Sequence, residues 1–206
     1  MTRSHREDIW RSLAPGLEPE NLQLRRAFLL GAVATGERVL DLGCGEGVFA
    51  AALLAAGASV IAADVAEEPL RRARDAHPGL ETVLLESESE WGFPDAAFDV
   101  VWAGEVIEHV ADTAGWLSEL RRVLRSGGRL LLSTPSLGAP QLLAAAVSRR
   151  AFAARFDPRS DHLHHYSRAT LAALIADFGF EQIDVRAAGP RGARRVLLAS
   201  AVRARF

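Results

Sequence analysis

Short apolar runs alternate with segments in which apolar residues recur at helical spacing, and this alternation sets the expected fold. Runs at 39–42, 58–63, 82–85, 98–102 and 129–133 read as strands, and the segments 48–56, 67–76 and 116–124 between them read as helices. Strands and helices in regular alternation predict an α/β domain built on a mostly parallel sheet. The chain begins differently, with helices expected over 4–13 and 20–33, separated by Pro15, Gly16 and Pro19. It also ends differently. A helix over 169–178 stops at Gly179, and strands at 180–186 and 195–202 follow with little between them. Between the fifth strand and that last helix, residues 140–156 form an alanine- and arginine-rich helical segment that departs from the alternation.

The stretch that organises the rest is residues 39–47, V-L-D-L-G-C-G-E-G, where a strand meets a helix. Gly43, Gly45 and Gly47 give the backbone access to unusual angles and let a ligand approach the main chain, and the following helix offers unpaired N–H groups. The spacing is G-x-G-x-G with Asp41 two residues ahead, not the G-x-G-x-x-G that seats a pyrophosphate. A Gly-rich turn that binds nothing is the plainer alternative.

This motif resembles the first motif of the class I S-adenosylmethionine-dependent methyltransferases, V-L-D-x-G-x-G-x-G, and the resemblance covers roughly residues 36–202. The segment F-D-V-V at 98–101 and the pattern L-x-x-G-G-x-L-x-x-x-x-P from Leu124 to Pro135 are similar to later parts of the same family. The resemblance implies a three-layer Rossmann-like sandwich with a seven-stranded, mostly parallel sheet whose last strand is antiparallel. It implies S-adenosyl-L-methionine as cofactor, with Asp41, Gly43, Gly45 and Gly47 at its methionine end. A carboxylate there suits a ligand carrying an ammonium and a sulfonium. Residues 1–35 are expected to form a helical cap over the cofactor cleft and 136–166 a lid or substrate wall, within a single domain of 206 residues.

Further candidates follow along the chain. Asp64, with Val65 beside it, ends the second strand about twenty residues beyond the glycine turn, where an acid can accept from ribose hydroxyls; capping the next helix is the competing role. Ser87 and Glu88 follow the third strand, and the resemblance assigns that region to the adenine ring. Asp99 opens the fourth strand at its amino end and is expected to be structural. Glu105, Glu108 and His109 would share one face if 105–110 were helical, and could serve as a base or hold a divalent cation. The pattern E-x-x-E-H is found in the ubiquinone-biosynthesis O-methyltransferases and in the small-RNA 3′-terminal 2′-O-methyltransferases, where it is associated with a metal. Magnesium or manganese is not the favoured reading here, because two of the ligands are merely adjacent. In the segment 161–167, D-H-L-H-H-Y-S, His162 is expected to face the cleft and Ser167 to cap the helix after it. The candidate catalytic set is thus Glu105, His109 and His162, and a metal would add Glu108.

Composition narrows the partners. The net charge is −2, so neither a strongly basic nor a strongly acidic partner is implied; that all 24 basic residues are arginine carries no mechanistic weight, since lysine bears the same charge. Arg149, Arg150, Arg155 and Arg159 in the inserted segment permit an anionic substrate, although scattered arginines usually form a solvated face. The single cysteine, Cys44, excludes an internal disulfide and is read as a packing residue. No apolar stretch reaches the length of a membrane span and the first residues do not read as a signal peptide, so the expected location is the cytoplasm. The expected activity is methyl transfer from S-adenosylmethionine to oxygen or nitrogen of a small molecule. The alternatives are a metal-assisted RNA 2′-O-methyltransferase and a non-catalytic domain that binds cofactor or partner.

Overall fold

The seven strands form one sheet in the order β3-β2-β1-β4-β5-β7-β6 in a computed structural model that describes residues 3–157, 160–190 and 195–205. The strands are β1 (Arg38–Leu42), β2 (Ser59–Asp64), β3 (Glu81–Leu84), β4 (Phe98–Gly104), β5 (Leu124–Pro135), β6 (Phe180–Ala188) and β7 (Val196–Arg203). β1 pairs in parallel with both β2 and β4, while β7 runs antiparallel to β5 and β6. The expected α/β sandwich with an antiparallel last strand is therefore the architecture found.

Alternation along β1 explains the layering. Leu40 and Leu42 join a core with Trp116, Leu117 and Leu120 of α5 (Thr113–Val123) and Leu171 and Ile175 of α8 (Arg168–Asp177). Val39 belongs to the opposite core, with Phe49 and Leu53 of α3 (Val48–Ala55), Leu70 of α4 (Glu67–Ala76) and Leu29 of α2 (Leu22–Leu30). Residues two apart share a face, so Asp41 looks toward the α3 side, in register with Trp102 of β4. Trp102 is fully buried and packs its ring against Phe28 and Phe49. Trp102→Ala is expected to cost about 3–5 kcal/mol, as large aromatic deletions in cores do, and urea denaturation would measure it.

Because the chain leaves β1 toward β2 on one side and returns in β4 on the other, a crevice opens beyond the carboxyl ends of these two strands. The first helix, α1 (Arg3–Ser12), lies across that end, with Arg6, Ile9 and Trp10 lining a cavity there. Its Glu7 carboxylate accepts from the N–H groups of Glu67 (2.8 Å) and Glu68 (3.2 Å) and so caps α4 from outside. Asp64 is consequently not the cap of α4.

Other expectations are modified. The segment 140–156 is two helices, α6 (Ala139–Val147) and α7 (Arg149–Arg155), broken at Ser148, whose hydroxyl accepts from the Ala151 N–H at the start of α7. Asn21, at φ 54°, starts α2 later than the pattern predicts. Residues 105–110 do not continue as an α-helix: Glu105 is left-handed at φ 60°, and a single 3₁₀ turn, Ile107–His109, follows. The cause is β-sheet pairing, since the Glu105 N–H still bonds to the Ser133 carbonyl at 2.9 Å. Asp99 accepts from the Arg38 N–H and from Arg125 Nε, the structural role expected of it. Ser167 caps α8 in a reciprocal box with Thr170.

Candidate active site

Two cavities occupy the crevice. The larger, of about 800 Å³, is lined by Asp41, Gly43, Gly45, Arg25, His162 and His165, among others. The smaller, of about 240 Å³, is lined by Asp64, Val65, Leu85, Glu88, Trp91 and His109 and is closed above by α1. Trp10, Gly43 and Glu105 line both, so the two spaces meet at these residues.

The glycine turn divides its work. Gly43, at φ 68°, has no room for a Cβ, which would stand 2.5 Å from Cγ2 of Val106. At Gly45 an added Cβ would lie 3.0 Å from the Trp10 ring, so this glycine lets α1 close down. Gly47, at φ 79°, lies against Ala73 and Leu80 and shapes the entry into α3.

Asp41 is 1 % exposed, and its Oδ2 has no hydrogen-bond partner among the described residues. Burial raises its carboxyl to about 7, opposed by the Ala50 N–H and by Arg25. Asp64 accepts from the N–H groups of Gly45 (3.2 Å) and Ala66 (3.0 Å), which fixes the carboxylate at the end of β2; burial raises it as well. Glu88 lines the smaller cavity, with Oε2 accepting from the Ala111 N–H at 3.1 Å. Ser87 turns back to its own loop, its hydroxyl accepting from the Ser89 N–H.

The three residues expected on one helical face are separated by the left-handed turn at Glu105. Glu105 Oε1 accepts from Ser133 Oγ at 3.0 Å, while Glu108 Oε2 accepts from Thr134 Oγ1 at 2.9 Å. Two adjacent hydroxyls of β5 thus hold two carboxylates at the sheet edge. Burial raises both, and Glu105 raises Glu108 further. His109 Nδ1 faces the Asp161 carbonyl (2.9 Å) and its carboxylate (3.2 Å), yet burial and then Arg6 lower the imidazole, so it is neutral near pH 7. His162 stands edge-on to His109, with ring centroids 4.8 Å apart. Glu108, His109 and His162 bring ligand atoms within 4.8 Å of one another, and Glu105 is outside that group.

Sequence reasoning missed Arg25. It is 3 % exposed, 4.6 Å above the Phe49 ring and 5.8 Å from that of Trp102, against Gly104, and its Nε has no hydrogen-bond partner among the described residues. Burial lowers its affinity for a proton while Glu105, Glu108 and Asp41 raise it. A signal existed: Leu22, Arg25 and Leu29 share one side of α2, and an arginine inside an apolar stripe needs a partner. Trp10 and Arg6, the latter 3.7 Å from the Asp161 carboxylate, reach the site only through tertiary folding.

A buried acid with an unpaired oxygen and a buried guanidinium whose Nε has no hydrogen-bond partner among the described residues, beside a glycine turn, suit a zwitterionic ligand. A family model described as a methyltransferase domain matches residues 16–185. A probable S-adenosylmethionine-dependent methyltransferase of Mycobacterium tuberculosis is 38 % identical over 126 residues, 59 % of this chain and 46 % of that protein. The chain thus spans about half the length of that relative. The ubiquinone biosynthesis O-methyltransferase of Thiobacillus denitrificans is 31 % identical over 156 residues, covering 73 % of this chain and 67 % of its own length. The crystal structure of 1,6-didemethyltoxoflavin-N1-methyltransferase from Burkholderia thailandensis superposes with a TM-score of 0.71 at 19 % identity, over 98 % of this chain and 84 % of that one. At that identity the superposition speaks for the fold alone.

Proposed function

The chain belongs to the class I S-adenosylmethionine-dependent methyltransferases, and from that premise we propose that it methylates oxygen or nitrogen of a small-molecule acceptor held in the larger cavity. The observation that carries this reading is the junction of the two cavities at Glu105 and Gly43. One space is sized and lined for an adenosine, the other extends well beyond a methionyl group, and the methyl would stand where they join. The ubiquinone biosynthesis relative, named for the methylation of a small molecule, supports the acceptor class.

In this assignment Asp64 accepts from the ribose hydroxyls, and Leu85, Glu88 and Trp91 border the adenine. The carboxylate of Asp41 answers the cofactor's positive charge, and the Arg25 guanidinium its carboxylate. The cofactor supplies the electrophilic methyl, so the chain's tasks are in-line alignment and, for a hydroxyl, removal of its proton. Glu105 stands at the junction to take that proton, and His162 borders the acceptor space. Calorimetric titration of the EDTA-treated protein with S-adenosylhomocysteine tests the assignment. Micromolar binding is expected, and its absence would leave a domain that does not turn over this cofactor.

A second reading, a metal-assisted one, rests on Glu108, whose buried Oε1 has no hydrogen-bond partner among the described residues and lies 4.0 Å from His109 Nε2. With His162 these residues fit one divalent cation, which would polarise an acceptor oxygen. If a metal is used, magnesium or manganese binds stoichiometrically and Glu108→Gln abolishes it; cofactor affinity and turnover unchanged by EDTA would remove this reading. It is also the arrangement an RNA 2′-O-methyltransferase would need, but a chain of net charge −2 does not favour a polyanionic acceptor.

A further inference from the structure

Among the described residues two guanidinium groups line the larger cavity, and the assignment above uses only Arg25. The other belongs to Arg195, an exposed residue directly before β7 whose side chain makes no hydrogen bond or ion pair with the described residues. The sheet fixes its place. β5 and β7 pair antiparallel as far as Pro135 and Val196, and the Ser136 N–H continues that ladder by donating to the Arg195 carbonyl at 2.8 Å, so Ser136 and Arg195 stand opposite each other. On its other side Ser136 is bridged to Tyr166, and the Leu137 N–H donates to the Tyr166 carbonyl at 2.8 Å. Three segments therefore meet at Ser136, beyond the end of β5. Ser136 is itself a buried polar residue on the wall of the larger cavity, as is His165, the neighbour of Tyr166.

Charge divides this cavity. Its acids come from one side: Glu20 precedes α2, Asp41 is on β1, Glu46 is in the glycine turn and Glu105 follows β4. From the β5–β7 end and the segment 160–165 it is lined by Pro135, Ser136, Ser160, His162, His165 and Arg195, with no acid among them. A guanidinium without a partner beside a hydroxyl offers convergent donors to an oxyanion, and the planar fork of arginine matches carboxylate and phosphate oxygens. Asp41 and Glu105 at the opposite end repel the same group, so an anionic acceptor is oriented with its charge at Arg195 and its far end at the junction of the cavities. Ser136 lies three residues beyond Ser133, which holds Glu105, or about 10 Å along the strand. A ring with groups on opposite sides, or a chain of several bonds, reaches across.

We propose that the acceptor is an organic anion, a carboxylate or a phosphate ester, whose oxyanion is held by the Arg195 guanidinium and the Ser136 hydroxyl while its nucleophilic oxygen or nitrogen is presented at Glu105. This rests on the assignment of the larger cavity to the acceptor and names what that cavity selects. Arg195 acts on specificity, away from the reacting atoms, and a neutral acceptor leaves it without a partner.

Benzoate, phenyl phosphate and the neutral benzamide serve as probes, titrated calorimetrically into the full chain saturated with S-adenosylhomocysteine, so that Arg25 is already engaged. At least one of the two anions is expected to bind about tenfold or more tighter than benzamide, and the tighter of them tells carboxylate from phosphate. Arg195→Gln should weaken that anion by about tenfold or more and Ser136→Ala by less, while affinity for S-adenosylhomocysteine stays within about twofold in both variants and reports an intact fold. Arg195→Lys keeps the charge without the fork and should recover part of the loss. Anions bound no better than benzamide would overturn the proposal, as would an Arg195→Gln variant that binds them as the parent does. Either result, with S-adenosylhomocysteine still bound, strikes this inference alone; a parent protein that does not bind S-adenosylhomocysteine overturns the cavity assignment and this proposal with it.

Discussion

Asp41→Asn should remove measurable affinity for S-adenosylmethionine and at the same time stabilise the ligand-free protein at pH 8. Both effects come from one carboxylate that is 1 % exposed, with an oxygen that has no hydrogen-bond partner among the described residues and a carboxyl raised to about 7 by burial. In the unfolded chain the same group ionises near pH 4, as a free aspartate does. Between about pH 4 and 7 the folded state therefore holds a proton that the unfolded state has lost, and stability falls as pH rises through that window. A shift of this size corresponds to an energy on the order of 2 to 4 kcal/mol, missing in full above pH 7. Asparagine does not ionise, so urea denaturation should find the variant and the parent most different at pH 8 and similar near pH 4. The cofactor reverses the sign: its cationic groups select the carboxylate, so affinity for S-adenosylmethionine should rise with pH through about 7, with up to one proton released on binding. Calorimetry in buffers of different ionisation enthalpy measures that proton. An asparagine variant that binds within a few-fold of the parent would sink the assignment of Asp41 to the cofactor.

What made the strand, turn and helix around Asp41 readable from sequence was locality: an acid and alternate glycines between a β-forming and a helical run fall close together, so period and turn chemistry suffice. The α/β class was legible for a related reason, because strands and helices in regular alternation point to a mostly parallel sheet. Glu105 is the opposite case. Its neighbours, V-I-E-H-V, have helical spacing, but the Glu105 N–H is claimed by the Ser133 carbonyl and the chain must turn through a left-handed residue to leave the sheet. A glutamate gives no local cue for positive φ, so the expected shared face of Glu105, Glu108 and His109 could not be corrected without β5 in view. Glu7 and Trp10 show the same limit at longer range, since α1 reaches α4 and Gly45 across more than thirty residues. Arg25 lies between these cases. Its position in an apolar stripe was visible, and what it packs against was not.

That left-handed turn is also why Glu105→Gln is expected to produce the second large effect. Sheet pairing on one side and the Ser133 hydroxyl on the other hold the side chain where both cavities open, so the carboxylate is positioned before any acceptor arrives. Burial raises its proton affinity, which brings a carboxylate closer to the range in which it can take a proton from a hydroxyl as the methyl is transferred. Glutamine retains the oxygen that accepts from Ser133 and loses the basicity. With a hydroxyl acceptor the turnover number should fall by about 10²–10⁴-fold, the usual worth of a positioned base. Affinity for S-adenosylhomocysteine should change by less than about threefold, since that ligand lacks the methyl and the charge that Glu105 would face in the proposed assignment. The comparison also sorts acceptors: an amine bound in its neutral form attacks without prior loss of a proton, and the same variant would then remain nearly as active as the parent. Single-turnover rates of the two proteins, measured over a range of pH, separate these outcomes. A hydroxyl acceptor methylated at the parental rate by Glu105→Gln would take Glu105 out of the reaction and leave His162, on the wall of the larger cavity, as the group to test next.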